Sequence, residues 1–220
     1  MRLYDYELSG NCYKIRLLLA MLGLHCERVR VDSSRGETQT EAFRQLNPRG
    51  QIPVLLDGDL RLWDSQAILV YLARRYGDPE RACGPWLPAD PFGEAEVMQW
   101  LAVAENELLF GLARARSALR FRRPFDLAQC QAEGKTGLAA LEDRLAGREW
   151  LVGDCATIAD IACYPYVYLA PESGVSLEPY PNIRAWLARF AQLPDYQVMV
   201  DPAAERAAEL ARTEAANERD

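Results

Sequence analysis

The sequence predicts an α+β fold in which a small β-α-β-α-β-β-α part precedes an all-helical part. Segments with the alternation and residue preferences of β-strands occur only before about residue 63. A stretch rich in proline and glycine follows, from Gly77 to Pro91. Beyond it the apolar residues follow helical spacing, with no further strand signal of any strength. The 220 residues therefore divide into two architectures at this stretch.

The first half of the small part is predicted to contain two strands that flank a helix. Residues 2–6 alternate in polarity as a strand does, and residues 11–22 carry a long apolar face typical of a helix. Gly23 then ends the helix. Residues 27–31 alternate again. Because a crossover helix joins the two strands, we expect them to pair in parallel.

The second half of the small part adds a hairpin and a capped helix. Residues 40–46 favour a short helix that Asn47-Pro48 ends. The segments IPVLLD and LRLW surround Asp57-Gly58, a dipeptide typical of tight hairpin turns, and so predict two antiparallel strands. Asp64 and Ser65 then cap a helix whose apolar residues recur at helical spacing.

Helical periodicity covers most of the chain beyond the proline-rich stretch, roughly residues 92–120, 126–146, 158–170 and 181–193. Thr157 and Asp160 have the spacing of a capping box, a folding feature that we do not interpret as catalytic. The tail after Pro202 is polar and alanine-rich, so we expect a frayed or marginal helix there. The predicted organisation is a first domain at 1–77, a linker at 78–91, a helical domain at 92–202 and a polar tail at 203–220.

The composition is that of a globular chain, with 50% hydrophobic and 26% charged residues. The net charge of −7 argues against a nucleic-acid partner, because phosphate binding needs a concentrated cationic face. One short basic patch departs from this balance. We interpret it as a solvated helix face and loop, with a pocket for an acidic substrate as the alternative. The patch comprises Arg114, Arg116, Arg120, Arg122 and Arg123.

No stretch approaches the roughly 18 apolar residues of a membrane span, and the N-terminus lacks a signal-peptide pattern. We therefore expect no membrane partner and a cytoplasmic location. The six cysteines form neither a CxxC pair nor a metal-ligand spacing, so we expect free thiols, no disulfide framework and no metal. His25, the only histidine, lies between a predicted helix and strand, and multi-histidine metal sites are thereby excluded.

Five segments follow one another along the chain: SGNCYKIR, NPRGQIPVL, WDSQAILVYL, TIADIA and YPNIRAWLARF. In this order they resemble the cytosolic glutathione transferase family, most nearly its bacterial, theta-like or nu-like branch with a serine near the N-terminus. The resemblance covers residues 2 to about 195. It implies a thioredoxin-like N-terminal domain, an all-helical C-terminal domain, glutathione as co-substrate and a homodimer.

The resemblance places the thiol-activating hydroxyl on Ser9, through the S-x-x-C pattern, with Asn11 as a competitor or helper. A free thiol has a pKa of about 8.5, and lowering it by about two units takes roughly 2.7 kcal/mol. A hydrogen bond to a charged group contributes about 1.5 to 3 kcal/mol, and a helix N-terminus about 0.3 to 1. Ser9 could supply both kinds of help. The alternative for both residues is plain capping of the first helix.

Cys12 and Pro53 also acquire expected roles from the resemblance. A redox-active cysteine in this family commonly takes the place that Ser9 occupies here. We therefore expect Cys12 to pack inside the helix, and a redox role would require exposure and a low pKa. The family has a cis proline at the position of Pro53, which leaves the main chain of Ile52 free to pair with the cysteinyl segment of a peptide. An ordinary edge-strand proline is the alternative.

The resemblance assigns the rest of glutathione to the segments around residues 51 and 64. Asp64 and Ser65 begin a helix, whose backbone N–H groups and dipole suit the γ-glutamyl carboxylate, while the acid suits the amino group. The family usually has Glu-Ser here, one methylene longer. Gln51 matches the pattern NP-x-G-Q-[IV]-P, from which the side chain can reach the tripeptide backbone.

Recognition of the glycyl end is expected at Thr38, where relatives carry a longer polar side chain. Threonine is short for this contact. Arg35 and Arg49 are the alternatives.

The second substrate is expected between the two domains, beside the first long helix of the helical part and the segment from Tyr164 to Tyr168. From helical spacing, its candidate contacts are Asn106, Phe110, Arg114 and Tyr168, most of which can equally belong to the core or to a dimer interface. The preferred function is conjugation of the glutathione thiolate to a small, hydrophobic electrophile. A glutathione-dependent peroxidase or disulfide reductase and a non-catalytic binding module are the alternatives.

Overall fold

A computed structural model describes residues 1–199, and the predicted tail at 203–220 lies outside them. Its first part has the predicted order β-α-β-α-β-β-α. The strands are β1 (Arg2–Asp5), β2 (Glu27–Arg30), β3 (Val54–Asp57) and β4 (Leu60–Trp63), and the helices are α1 (Gly10–Met21), α2 (Glu41–Leu46) and α3 (Ser65–Tyr76).

The four strands form one mixed sheet in the order β2-β1-β3-β4. β1 pairs in parallel with β2, as the crossover helix predicts, and in antiparallel fashion with β3, where Leu3 lies opposite Leu55. Both of these leucines are fully buried. The hairpin of β3 and β4 turns at Gly58, whose φ of +57° suits glycine. Because β1 lies in the interior of the sheet, the segment that follows it is held firmly where α1 begins.

The second part is helical and confirms the predicted fold class. Residues 77–90 contain neither helix nor strand. The helices are α4 (Pro91–Val103), α5 (Arg114–Phe121), α6 (Leu127–Leu145), α7 (Ile158–Tyr168) and α8 (Pro181–Phe190), with a π-helical segment (Ala104–Ala113) between α4 and α5. Whether the two parts fold as independent domains stays a prediction.

The π-helical segment is a correction to the predicted single α-helix at 92–120. Its backbone hydrogen bonds run from residue i to i+5, whereas an α-helix uses i to i+4. Apolar periodicity over ten residues does not separate these two patterns. The last predicted helix before residue 181 is also shorter in the structure than the predicted range 158–170. α7 ends at Tyr168, and a short 3₁₀ turn, Ala170–Ser173, follows it.

One hydrophobic core runs through both parts, and α7 crosses its centre with ten consecutive buried residues, from Ile158 to Val167. The first turn of α1 lies directly against this helix. A Cβ atom added to Gly10 would lie only 2.6 Å from the ring of Tyr166, so glycine is required for the approach. This contact fixes how the N-terminus of α1 is presented to the helical part.

The predicted capping box at the start of α7 is confirmed. The Thr157 hydroxyl accepts the N–H of Ala159, and the Asp160 carboxylate accepts the N–H of Thr157 at 2.9 Å. Asp160 is fully buried and also accepts from the backbone of Leu151 at 3.1 Å and from the indole of Trp186 at 2.9 Å. Burial raises the pKa of Asp160 to about 6.

The expectation that all six cysteines are free thiols is wrong for two of them. Cys83 and Cys155 form a disulfide, with their Cα atoms 5.6 Å apart. It ties the segment between α3 and α4 to the loop before α7. The two residues are 72 positions apart in the chain, so no short cysteine spacing could indicate the pair.

Within residues 1–199, no helix is long and apolar enough to cross a membrane. The same range contains no cluster of three or more histidine, cysteine, aspartate or glutamate side chains that could hold a metal ion. His25 lies between α1 and β2, as predicted, and its side chain is exposed.

Candidate functional site

A cleft of about 770 Å³ lies between the sheet part and the helical part of the chain. We call the lining residues within 6–65 the sheet wall and those within 105–125 the helical wall. Nine of the predicted site residues line this cleft. They are Ser9, Asn11, Gln51, Ile52, Pro53, Asp64 and Ser65 on the sheet wall and Phe110 and Arg114 on the helical wall.

Ser9 is the N-cap of α1. Its hydroxyl oxygen accepts the N–H of Cys12 at 3.3 Å, and its own N–H donates to the carbonyl of Tyr6 at 3.0 Å. The cap uses the hydroxyl only as an acceptor, so the hydroxyl hydrogen stays available to an anion in the cleft. Capping and anion binding are therefore compatible at this residue.

Two buried polar atoms of the sheet wall have no hydrogen-bond partner among the described residues: Oδ1 of Asn11 and Oγ of Ser65. Both residues line the cleft. Buried polar atoms are almost always paired in folded proteins, so each such exception calls for an explanation. Both residues lie where a polar ligand in the cleft would be their neighbour.

The N-terminus of α3 opens on the same cleft through Asp64 and Ser65. Asp64 Oδ1 accepts the N–H groups of Gln66 and Ala67 at 2.9 and 3.4 Å, and this cap leaves the N–H of Ser65 without a side-chain partner. Asp64 has φ of +79°, a region that L side chains rarely adopt and that costs about 1–3 kcal/mol. Such backbone is typical of ligand sites.

The loop before β3 brings main-chain groups to the cleft. The peptide bond between Ile52 and Pro53 is cis, as the resemblance implies. β3 begins only at Val54, so Ile52 lies outside the strand pairing. The side chain of Asn47 holds this loop, since it donates to the carbonyl of Gln51 at 2.6 Å and accepts the N–H of Arg49 at 2.9 Å.

Cys12 and Thr38 do not reach the cleft. Cys12 is fully buried inside α1, and desolvation raises the pKa of its thiol to about 12. These properties are the opposite of what a redox-active cysteine requires. Thr38 is also buried, and its hydroxyl accepts from the side chain of Gln39 at 3.1 Å. Of the two alternatives for the glycyl end, Arg49 lines the cleft and Arg35 does not.

Asn106 and Tyr168 are likewise not in the cleft. Asn106 is exposed and donates to the carbonyl of Ala102 at 2.9 Å. The prediction extrapolated α-helical spacing through a segment that is π-helical and presents Glu105, Leu109 and Phe110 to the cleft. Tyr168 stacks on Tyr164 at the C-terminal end of α7, away from the cleft lining.

Glu105 lines the cleft and was not predicted. Its Oε1 accepts from the side chain of Gln66 at 3.1 Å and lies 4.0 Å from the ammonium of Lys14. Lys14 is fully buried, and desolvation lowers its pKa. The carboxylate therefore joins α1, α3 and the helical part beneath the cleft. A single acidic residue in a helix carries no sequence signal for such a position.

Arg116 corrects the interpretation of the basic patch as solvated. Its side chain is almost fully buried, its Nε donates to Glu172 at 2.7 Å, and its Nη1 donates to the carbonyl of Leu8 at 3.2 Å. Leu8 directly precedes Ser9 in the chain. The guanidinium consequently fastens the helical wall to the start of the sheet wall.

Comparison with known proteins agrees with this geometry. Residues 1–74 match the glutathione S-transferase N-terminal domain, and residues 125–194 match the glutathione S-transferase C-terminal domain. Glutathione S-transferase Z2 of Arabidopsis thaliana is 30% identical over 90% of this chain and 89% of its own length. Maleylacetoacetate isomerase of Pseudomonas aeruginosa is 32% identical over 84% of this chain and 88% of its own length.

Among solved structures, a glutathione S-transferase from Pseudomonas fluorescens superposes with a TM-score of 0.83. The two sequences are 36% identical, and the match covers 91% of this chain and 98% of the other. The overlap includes both the sheet part and the helical part, and hence both walls of the cleft.

Proposed function

The chain belongs to the glutathione S-transferase family, and from this premise we propose that it conjugates the thiolate of glutathione to a small electrophile. One observation carries the proposal. The N-termini of α1 and α3, with Ser9 at one and Asp64 and Ser65 at the other, open on the same cleft beside Ile52. An activating hydroxyl, two positively polarised helix ends and a stretch of unpaired main chain then surround a volume that suits a tripeptide.

Ser9 is the proposed thiolate partner. Its hydroxyl donates to the sulfur while its oxygen keeps the cap on α1. A hydrogen bond to a charged group contributes about 1.5 to 3 kcal/mol, and the helix N-terminus adds about 0.3 to 1. Together these reach the roughly 2.7 kcal/mol that lowers a thiol pKa by about two units. No general base is required, and Asn11 serves as the second polar contact.

The tripeptide is held by the rest of the sheet wall. The γ-glutamyl carboxylate takes the N–H and hydroxyl of Ser65, and the amino group lies against Asp64 and Glu105, the two carboxylates of the cleft lining. The cysteinyl segment pairs with the main chain of Ile52, and Gln51 reaches the backbone beyond it. These contacts bind glutathione alike before and during the reaction, so their loss should raise KM more than it lowers kcat.

The electrophile approaches from the helical wall. The thiolate sulfur attacks its electron-poor carbon, a carbon–sulfur bond forms, and the leaving group departs with the electron pair of the bond that breaks. The thiol proton has already passed to solvent. The protein contributes positioning and stabilisation of the anion.

Three alanine variants test the thiolate assignment. We expect Ser9→Ala to lower kcat with an aryl halide about 10- to 100-fold and to change the Kd of glutathione less than about threefold, since the sulfur contact matters mainly for the anion. Thr40→Ala removes a comparable cap, the contact of Thr40 with the N–H of Phe43 on α2, outside the cleft lining. It controls for the loss of capping. Unchanged turnover in Ser9→Ala together with reduced turnover in Asn11→Ala transfers the role to Asn11.

A peroxidase or disulfide reductase would use the same thiolate. The burial of Cys12 favours conjugation, because no second thiol reaches the cleft lining to exchange with a disulfide. Parallel assays with an aryl chloride, a hydroperoxide and a small disulfide separate these activities. We expect the aryl chloride to give the largest acceleration over the uncatalysed reaction.

An isomerase is the second candidate within this family, favoured by the relative named maleylacetoacetate isomerase. In such a reaction the thiolate adds to a carbon–carbon double bond, the new single bond rotates, and elimination returns the thiolate. Glutathione is then regenerated, whereas conjugation consumes one glutathione per turnover. Glutathione stoichiometry with maleylacetoacetate as the probe distinguishes the two reactions.

A non-catalytic binding module is the third candidate. It would have no reason to keep buried polar atoms of two residues that line the cleft, Asn11 and Ser65, without a hydrogen-bond partner. Calorimetric titration with millimolar glutathione tests it, and we expect saturable binding. Absence of binding would favour the module.

We also propose a homodimer in the cytoplasm. Exposed apolar side chains support the dimer, since Trp63, Phe92 and Met98 are substantially exposed. Light scattering coupled to size exclusion measures the mass directly. A monomer mass at micromolar concentration would contradict the proposal.

A further inference from the structure

The helical wall carries cations that no carboxylate neutralises. Arg114, Arg122 and Arg123 line it, whereas the carboxylates of the cleft lining are Asp64 and Glu105, next to α3. Within residues 1–199, none of these three arginines forms an ion pair. Beyond Glu105, the helical wall is thus positively charged in a chain whose net charge is −7.

The Arg114 guanidinium lies over two aromatic rings. Its guanidinium carbon lies 4.0 Å from the ring centre of Phe110 and 5.2 Å from that of Phe125. Both rings line the cleft, and the guanidinium has no hydrogen-bond acceptor among the described residues. These cation–π contacts restrain the cation while leaving its N–H donors unused, and this arrangement is preorganised for an anion.

Arg116, two residues after Arg114, differs from it because its guanidinium forms an ion pair. Its Nε donates to Glu172 and its Nη1 to the carbonyl of Leu8, so these two contacts serve the structure, and only its buried Nη2 has no hydrogen-bond partner among the described residues. Arg120 shares Glu172 at 3.0 Å. Arg116, which also lines the cleft, and Arg120 are thus paired with Glu172, whereas Arg114, Arg122 and Arg123 line the cleft without an ion pair among residues 1–199. Of these three, Arg114 is the one that lies over aromatic rings of the cleft.

From this arrangement we propose that the second substrate is a planar, conjugated electrophile that bears a carboxylate. The carboxylate pairs with Arg114, the conjugated body lies against Phe110 and Phe125, and Arg122 and Arg123 add to the attraction. The proposal rests on the proposed function, since Ser9 supplies the thiolate. It changes the expected electrophile from a merely hydrophobic one to an anionic one.

Two probes that differ only in charge test the proposal: 4-chloro-3,5-dinitrobenzoate and its methyl ester. In both, the thiolate attacks the carbon that bears chlorine, the carbon–sulfur bond forms, and chloride leaves with the bonding electrons. For each probe, kcat/KM is divided by the uncatalysed rate constant with glutathione. We expect the wild-type chain to favour the acid about 10- to 100-fold by this ratio, the size of a charge-assisted contact.

Arg114→Met keeps a long side chain that favours helix and removes the charge, and we expect it to reduce the acid-to-ester preference to about one to three. Arg114→Lys keeps a charge without the planar fork and should retain part of the preference. Arg148→Met is the control, because Arg148 is exposed and absent from the cleft lining. A wild-type preference near one, or a preference that Arg114→Met leaves unchanged, overturns the proposal.

A binding measurement keeps this result separate from the proposed function. Calorimetry with 3,5-dinitrobenzoate, which has no leaving group, needs no turnover. We expect the wild-type chain to bind it at least about tenfold more tightly than Arg114→Met does. If neither chlorinated probe is turned over but this difference holds, the transferase proposal fails and the anion site stands. Equal affinity of the two chains overturns the anion site whatever the turnover.

Discussion

The two walls of the cleft hold their polar groups by different means. On the sheet wall, apart from long side chains such as Arg49 and Gln51, the groups are short side chains and backbone N–H groups at helix N-termini, fixed by the caps of Ser9 and Asp64. On the helical wall they are long side chains on one helical stretch, such as Arg114 and Phe110. A wall made of backbone tolerates little change and suits a constant co-substrate. A wall made of side chains can be altered residue by residue and suits a variable second substrate.

Removal of the disulfide should have the largest effect on stability and little effect on the chemistry of the sheet wall. Closing a loop of about 70 residues stabilises the folded chain by about 4 kcal/mol in the chain-entropy model. We expect the double variant Cys83→Ser, Cys155→Ser to lose about this free energy of unfolding in urea. Glutathione affinity should change less than about twofold, because neither cysteine lines the cleft. Reduced wild-type chain is the control and should match the variant; equal stability of oxidised and reduced chain would contradict the prediction.

The pH dependence of stability should come partly from Asp160 in the helical part. Burial raises the pKa of this carboxyl from 3.8 to about 6. Between these values the folded chain holds a proton that the unfolded chain has released, so stability falls as pH rises. We expect the unfolding free energy of the wild type, minus that of Asp160→Asn, to decrease by up to about 3 kcal/mol from pH 4 to pH 6. An increase would mean that the hydrogen bonds to the carboxylate outweigh its desolvation.

Substitution of Arg116 tests whether its contact with Leu8 connects the helical wall to the sheet wall. Removing one partner of a buried ion pair usually costs about 3–5 kcal/mol, but Glu172 keeps Arg120 here. We therefore expect Arg116→Met to lose about 2 kcal/mol in urea unfolding and to weaken turnover, since Leu8 precedes Ser9. Arg120→Met is the matched control: it touches the same carboxylate, is more exposed and should lose less than about 1 kcal/mol. Equal losses would show that the contact with Leu8 contributes nothing.

Substitution of Asp64 should have the smallest effect on stability of these variants, but a selective effect on the KM for glutathione. Asp64→Ala removes the cap of α3 and one carboxylate of the cleft, so we expect about 1 kcal/mol of lost stability and about a tenfold rise in KM for glutathione. Asp90→Ala removes the analogous cap of α4, where Asp90 accepts the N–H of Gly93 at 2.8 Å. It should lose similar stability with KM unchanged. A rise in KM in both variants would assign the effect to folding.

The sheet wall could be predicted from the sequence because its signals are local. Ser9 and Asp64 are helix caps, and the segment around Pro53 is a short motif, so each feature is encoded within a few residues. The helical wall depends on contacts between distant residues. Glu105 meets Gln66 across 39 positions, and Arg116 meets Leu8 across 108.

The errors on the helical side have the same origin. α-Helical spacing predicts Asn106 in the cleft, whereas the π-helical segment turns Glu105 and Phe110 toward it. The disulfide joins residues 72 positions apart, and the burial of Arg116 depends on a carboxylate in another element. Periodicity indicates that a helical residue faces inward. It does not indicate whether that face meets the core, a neighbouring helix or a cleft.

A crystal structure of the chain with glutathione tests the division between the walls most directly. We predict the sulfur within hydrogen-bond distance of the Ser9 hydroxyl, the γ-glutamyl carboxylate at the N–H of Ser65, and the cysteinyl main chain paired with Ile52. A sulfur nearest to Asn11 or Cys12, or a tripeptide seated on Arg114 and the helical wall, would contradict the account.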